Sequence, residues 1–329
     1  MKKVLITGGA GFIGYHLANK LIQDGYKVDI LDNFSRGVND LALHELSKNA
    51  KLIRFDLLSE DINSLDKDYS YIYHLAAVVG VSHVLKSPFS VLDNNVSLLR
   101  NVIDLGRKQK KLSRFMFAST SEVYAGTLNY YGLKFPTLES TPLTVNELDH
   151  KRTSYMLSKI YGEAMSLHSG LPITIVRPHN FYGPRMGLSH VIPELMKKVV
   201  ESKSTPIDVF SVKHKRTFCY ISDAIKAIQL LAEASNSVGK AYNIGNDTEE
   251  ISMQDLAEKI MKIIGKELKI NPRPATPGSP ERRCPSVQKL IIDTKYNHEF
   301  SLEKGLNETY EWYKRNIFSG KEQSAKWYL

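Results

Sequence analysis

The sequence predicts an α/β fold, a doubly wound parallel sheet with a smaller α+β C-terminal region laid against it. Three observations predict it. Short apolar or β-branched runs recur at 4–7, 27–32, 51–55, 71–75, 113–118 and 173–177, each of strand length. Between them lie stretches of helical period long enough for crossover helices: 12–23 sets Ile13, Leu17, Leu21 and Ile22 on one face, and 90–105 sets Val91, Val96, Leu99, Val102 and Ile103 on another. After Arg177 the alternation stops, and nine prolines from Pro178 to Pro285 break the chain into isolated helices and short strands.

Taken in order, the first run follows Met1, Lys2 and Lys3. It starts like a secretion signal, but Gly8, Gly9 and Gly11 interrupt the apolar stretch at once, so it reads as a first strand and the protein as cytoplasmic. Six strands then alternate with helices. In the second half, helices are expected at 190–201, 222–233, 252–264 and 301–313, with strands at 207–210 and 241–244. Residues 272–285, rich in proline and arginine, read as a linker or a lid, and 320–329 as a loosely attached tail.

Composition narrows the class. The chain has 329 residues, 42% hydrophobic and 24% charged, an ordinary globular mix with no run of about 20 apolar residues for a membrane helix. Cys219 and Cys284 are the only cysteines, with neither a disulfide framework nor metal-ligand spacing around them. A net charge of +9 suits nucleic acid, an anionic surface or a phosphorylated small molecule, and composition does not choose among them.

Two motifs carry chemistry. Gly9-x-Gly11-x-x-Gly14, preceded by Gly8, lies between a strand and a helix, the context of a Rossmann-type dinucleotide site. There the glycines allow a tight turn and close backbone approach, and the helix start at Phe12 and Ile13 offers N–H groups to a pyrophosphate. Asp32 ends the second strand, where a carboxylate accepts ribose hydroxyls and repels a 2′-phosphate; this favours NAD over NADP, with Arg36 nearby leaving the alternative open. Tyr155 and Lys159 stand one helical turn apart, so the ammonium can lower the phenol's pKa and make it a base for a hydroxyl.

With these motifs the chain resembles the extended short-chain dehydrogenase/reductase family, in its branch that modifies nucleotide sugars. The resemblance covers nearly all of 1–316 and rests on Thr7 to Gly14, Asp32-Asn33, Asp56-Leu57, His74 to Ala77, Asn94 to Val96, Ser119 to Tyr124, Tyr155-x-x-x-Lys159, Arg177 to Arg185 and Arg216 to Asp223. It implies an NAD-binding domain over 1–178, joined by a strand near 241–245, a mainly nucleotide-sugar-binding domain over 179–316 and a tail at 317–329. By position, it implies cofactor contacts from Gly8, Gly11, Phe12, Ile13, Gly14, Asp32, Asn33, Asp56, Leu57, Ala76, Ala77 and Asn95, with Tyr155 and Lys159 also on the nicotinamide ribose. Thr120, Ser121 and Glu122 join the catalytic pair, and Val81, Asn180, Arg185, Arg216 and Arg283 the substrate. It implies a homodimer too.

The implied chemistry opens with Tyr155 taking the O4 proton while C4 gives hydride to NAD, leaving a 4-keto sugar. Glu122 then points to a second step at C5, because simple 4-epimerases of the branch usually lack a carboxylate there. Epimerisation or dehydration is the first expectation. The alternatives are a decarboxylase acting on UDP-glucuronate, suggested by the partial match Arg283-Cys284-Pro285-Ser286, and oxidation that releases a keto sugar. Cys284 stands where such decarboxylases carry Lys, and Ala125 where the family usually has Gly. Tyr130, Tyr131, Phe135 and His83 either shape the sugar site or pack their loops. From another class, a non-catalytic NAD-sensing or nucleic-acid-binding protein would fit the basic balance, but has no use for the relay of Thr120, Tyr155 and Lys159.

Overall fold

The computed structural model describes residues 1–203, 205–275 and 279–319. Seven parallel strands form the central sheet: β1 (Lys3–Thr7), β2 (Lys27–Asp32), β3 (Lys51–Arg54), β4 (Tyr71–His74), β5 (Arg114–Ala118), β6 (Ile173–Pro178) and β7 (Lys240–Ile244). Their order is β7-β6-β5-β4-β1-β2-β3. The seventh strand, 62 residues after β6 in the chain, pairs with it from Lys240 opposite Thr174 to Ile244 opposite Pro178. Chain direction across the sheet reverses at β1 and β4, and the crevice above their C-terminal ends is where such sheets bind ligands.

Sequence sets these elements simply. All five residues of β1 are buried, as expected of a strand covered on both faces. Helix α1 (Phe12–Gln23) buries Gly14, Leu17, Ala18 and Leu21, one stripe at helical spacing. Helix α2 (Pro88–Arg107) opens with proline, whose missing N–H costs nothing in a first turn. Helix α3 (Thr153–Leu167) carries Tyr155 and Lys159 and packs on α2. The helix Met253–Ile264 is capped by the Ser252 hydroxyl, which accepts from Asp255 N, and ends at Gly265 in the left-handed region.

Several elements differ from expectation. Short helices at Leu41–Ser47, Ala125–Tyr131 and Gln288–Thr294 are too brief to show a clear period. The proline-rich stretch contains strand Ile270–Arg273, paired with Ile207–Phe210, and strand Arg282–Arg283, paired with Lys215–Thr217. These are edge pairings, where proline is tolerated. Most of the expected tail, from residue 320 on, lies outside the described residues. One apolar cluster runs from β1 and α1 through Leu195, Ile207 and Ile228 to Leu256 and Leu306, so the second half shares a core with one face of the sheet. A smaller cluster of Leu99, Val102, Phe115 and Phe117 fills the other face. Among the described residues, no helix is long and apolar enough to cross a membrane.

Two histidines are buried in this core region. His74 ends β4 with Nδ1 2.8 Å from Thr7 Oγ1, and His179 follows β6 with Nε2 3.2 Å from Asn243 Oδ1. Burial pushes both imidazoles from 6.5 down to about 3, with Lys159 adding to the effect at His74 and Arg283 at His179. Because the folded values lie below the ordinary one, the unfolded chain binds protons first, and stability present above pH 6.5 is lost as pH falls from there toward 3. Between pH 7 and pH 5 each histidine should remove about 2 kcal/mol of unfolding free energy, readable in urea titrations. A flat profile across that interval contradicts the neutral buried pair.

Candidate active site

The crevice above β1 and β4 is a cleft of about 460 Å³ lined by Gly8, Gly11, Phe12, Ile13, Gly14, Asp32, Asn33, Asp56, Leu57, Ala76 and Ala77. At Gly14 a methyl group would come within 2.5 Å of Gly8 O, so only glycine lets α1 start this close to β1. Gly8, at φ +72°, faces Ala76 N, which a Cβ would approach to 2.7 Å. Gly11 gives α1 no side-chain cap, leaving first-turn N–H groups at the cleft. Asp32 Oδ2 accepts from Ala10 N at 3.0 Å and Oδ1 from Phe34 N at 2.8 Å, leaving lone pairs for ribose hydroxyls. This donor and acceptor set fits a dinucleotide. Asn95 stands behind the lining: its amide bonds Val78 N and O and Ser158 Oγ, bracing the loop after β4 against α3.

A second cavity is a chamber of about 330 Å³ lined by Ser121, Glu122, Arg152, Met156 and His179, while Ala118 and Pro178 line the cleft. Thr120 precedes Ser121 and Tyr155 precedes Met156 in the chain; they and Lys159 are not themselves in either lining. Lys159 Nζ donates to Ala118 O at 2.8 Å and sits 5.9 Å from the Tyr155 ring centre. Burial raises the Tyr155 phenol to about 12, against a hydrogen bond with Thr120 that lowers it. Burial lowers Lys159 to about 8, opposed by Glu163, so the amine stays mostly protonated at neutral pH.

Glu122 Oε1 accepts from Arg283 Nη2 at 2.6 Å, and its Oε2 lies 3.6 Å from Arg152. Burial alone would raise its pKa. The charges of Arg283 and Arg152 outweigh that and hold the carboxyl below its ordinary value. The structure therefore joins Glu122 to Arg283, 161 residues later. Arg152 was not among the expected site residues; its position three residues before Tyr155 was the available signal.

The expected substrate residues separate. Asn180 lines the cleft, with Nδ2 donating to Thr217 O at 2.8 Å. Arg216 lines neither cavity: it donates to Lys215 O, Ser279 Oγ and the carbonyls of Pro280 and Glu281, holding the segment that carries Arg283. Val81 begins the helix Val81–Lys86, 58% exposed and outside both cavities. Arg185 lines the cleft, but its guanidinium is largely engaged within the protein: it is buried in an ion pair with Asp40 at 2.7 Å and also donates to Ala10 O, after β1, and to Val38 O, after β2. A buried cation needs partners, and here Asp40 supplies the opposite charge. Arg185→Met should strand Asp40 and lower unfolding free energy by about 3–5 kcal/mol, measured by denaturant titration. Wild-type stability in that variant shows the pair to be dispensable.

Residues 4–245 match the family described as NAD dependent epimerase/dehydratase. The UDP-N-acetyl-alpha-D-glucosaminuronate decarboxylase of Bacillus cytotoxicus is 33% identical over 95% of this chain and 98% of its own length. UDP-glucuronic acid decarboxylase 1 of Arabidopsis thaliana is 32% identical over 92% of this chain and 68% of its own. The crystal structure of UDP-glucuronic acid 4-epimerase from Bacillus cereus, with UDP-glucuronic acid and NAD, superposes with a TM-score of 0.82 at 28% identity, covering 95% of this chain and 99% of that one. With a glycine-rich cleft, Asp32 at the end of β2 and a Tyr155–Lys159 pair beside it, the chain belongs to the NAD-dependent epimerase/dehydratase family of nucleotide-sugar enzymes.

Proposed function

We propose that the protein decarboxylates a nucleotide-diphosphate hexuronate through a 4-keto intermediate, with uridine diphosphate the first carrier to test. The observation that carries this reading is the charge of the chamber. Arg152, Arg282 and Arg283 line it; Arg282 pairs with Glu250 at 2.7 Å, while Arg283 and Arg152 both face the single carboxylate of Glu122, a guanidinium-rich wall whose donors suit a C5 carboxylate. The two relatives described above are named as decarboxylases of sugar acids, which supports the reading sequence motifs placed second.

Bound NAD supplies a reversible acceptor for the C4 hydride. Tyr155 takes the O4 proton as C4 becomes a carbonyl, and Thr120, hydrogen-bonded to the phenol, helps it bear charge. The carbonyl then acts as electron sink: the bond from C5 to the carboxylate breaks, its electron pair enters the enolate across C4 and C5, and carbon dioxide leaves. The enolate takes a proton at C5 from water, giving the 4-ketone, and Tyr155 would return its proton to O4 as C4 regains the hydride that the cofactor had accepted. Glu122 fixes the guanidinium groups of Arg283 and Arg152 at the chamber wall.

A second reading rests on Glu122 itself. A carboxylate held ionised beside a keto sugar is a base for the C5 proton, leading to epimerisation or dehydration. The same proposal takes the working form to be a cytoplasmic homodimer: Phe89 on α2 and Tyr161 on α3 are 79% and 52% exposed, and both cysteines are buried and unpaired.

Incubation with UDP-hexuronates and neutral UDP-hexoses, read by product mass, separates these chemistries. Loss of carbon dioxide from the hexuronate alone is expected; loss of water, an unchanged mass with altered stereochemistry, or accumulating NADH selects dehydration, epimerisation or net oxidation instead. Tyr155→Phe should reduce turnover by about three orders of magnitude or more while still binding NAD. Substantial turnover by that variant removes Tyr155 from the role of base. Light scattering should give twice the chain mass, and Phe89→Glu with Tyr161→Glu should give one; a wild-type monomer refutes the dimer.

A further inference from the structure

We propose that Asn243 is the positioning residue that assembles the chamber wall, tying the turn that carries Glu122 to the segment that carries Arg283, an inference that rests on the chamber receiving a C5 carboxylate. Glu122 and Arg283 meet at 2.6 Å although 161 residues separate them. Neither belongs to a long element. Glu122 lies in the single turn Ser121–Tyr124, and Arg283 in the two-residue strand Arg282–Arg283. Pieces this short have little stability of their own, so their placement comes from what they are bonded to.

Asn243 lies on β7 and is fully buried. Its side chain reaches both pieces. Oδ1 accepts from the hydroxyl of Tyr124, two residues beyond Glu122, at 2.9 Å, and stands 3.2 Å from His179 Nε2. Nδ2 donates to Thr137 O at 3.0 Å and to the carbonyl of Ser286, three residues beyond Arg283, at 3.3 Å. The two carbonyls fix which end of the amide is nitrogen, so Oδ1 faces His179 as an acceptor and the imidazole carries its proton on Nε2. Tyr124 is oriented in the same way: Arg177 Nη1 donates to its oxygen at 2.6 Å, leaving its own proton for Asn243. An amide offers two donors and two acceptor positions, and all four are used.

The two segments knit together around this amide. Thr137 N donates to Cys284 O and Ser286 N to Thr137 O, both at 2.8 Å. Tyr124, Thr137 and His179 line the chamber beside Glu122 and Arg283, whereas Asn243 lines neither cavity. Asn243 therefore acts through its partners. A buried amide bonded on all sides has one orientation, and displacing it leaves several buried groups unpaired. Arg283 is thereby held where it can meet a substrate carboxylate while it remains bonded to Glu122.

Selectivity is the quantity to measure, because a loss of stability alone does not change it. In a Tyr155→Phe background loaded with NAD, which stops turnover of bound sugar, UDP-glucuronate and UDP-glucose are each titrated by calorimetry. The parent is compared with Asn243→Asp and with Tyr124→Phe. Asn243→Asp keeps the shape and removes the donors to Thr137 and Ser286; Tyr124→Phe keeps the ring and cuts the tie to the Glu122 turn, so it decides the question should the first variant fail to fold. Each folded variant should bind UDP-glucuronate about tenfold more weakly, as for a lost charge-assisted hydrogen bond, with unchanged affinity for UDP-glucose. A parental preference for the acid in either folded variant, or equal weakening toward both sugars, overturns the assignment. If the parent itself prefers neither sugar, the carboxylate reading of the chamber falls and the role of Asn243 with it, a result distinct from a preference that survives the substitutions.

Discussion

The site depends on one buried ion pair, Glu163 with Arg177. Glu163 stands one turn beyond Lys159 on α3, and Arg177 belongs to β6. Glu163 Oε1 accepts from Arg177 Nε at 2.9 Å and from Ser119 Oγ at 2.5 Å; Oε2 accepts from Arg177 Nη2 at 2.6 Å. Arg177 Nη1 donates onward to Tyr124 OH at 2.6 Å, and that hydroxyl donates to Asn243 Oδ1 on β7 at 2.9 Å. Burying two ions costs several kcal/mol apiece unless every donor and acceptor finds a partner, so the pair tolerates little displacement of its neighbours. Those neighbours are the catalytic helix on one side and the Ser119 to Tyr124 turn on the other. The spacing between Tyr155 and the Thr120 to Glu122 triplet follows from this constraint.

The same burial defines what the catalytic pair can do unaided. Removal from water favours the neutral form of each group, holding the phenol near 12 and the amine near 8. Lys159 retains its proton at neutral pH because the shift stops near that value and Glu163 opposes it. Tyr155 retains its proton too, since Thr120 and Arg36 lower its pKa less than burial raises it. The folded chain therefore provides a positioned acid, and making it a base requires more positive charge nearby. An oxidised nicotinamide carries such charge, so proton transfer is tied to cofactor binding.

Much of this was legible in the sequence where a local pattern maps onto one element. The runs that became β1 to β6, the stripe of α1 and the glycine spacing are short-range signals, and the structure places each within a few residues of expectation. Partnerships across long separations were not. Arg185 and Arg216 looked alike as cations in family motifs, yet one is locked to Asp40, 145 residues away, and the other binds neutral oxygens near Ser279. The family resemblance supplied Glu122 and Arg283 as separate residues, while their contact required the fold. Short helices such as Ala125–Tyr131 escaped because seven residues carry too little periodicity to outweigh a loop.

Net charge is accordingly a poor guide to function until the partners are known. The chain carries +9, but Arg185, Arg177 and Arg283 are each matched to a carboxylate and offer little to a distant anion. Under the proposed decarboxylation, substrate choice turns on the local chamber wall, where Arg283 and Arg152 share the carboxylate of Glu122 and Arg282 pairs with Glu250. A C5 carboxylate is a further acceptor for such donors, and its departure as carbon dioxide removes that contact, so the groups that favour binding of the acid do not favour retention of the decarboxylated product.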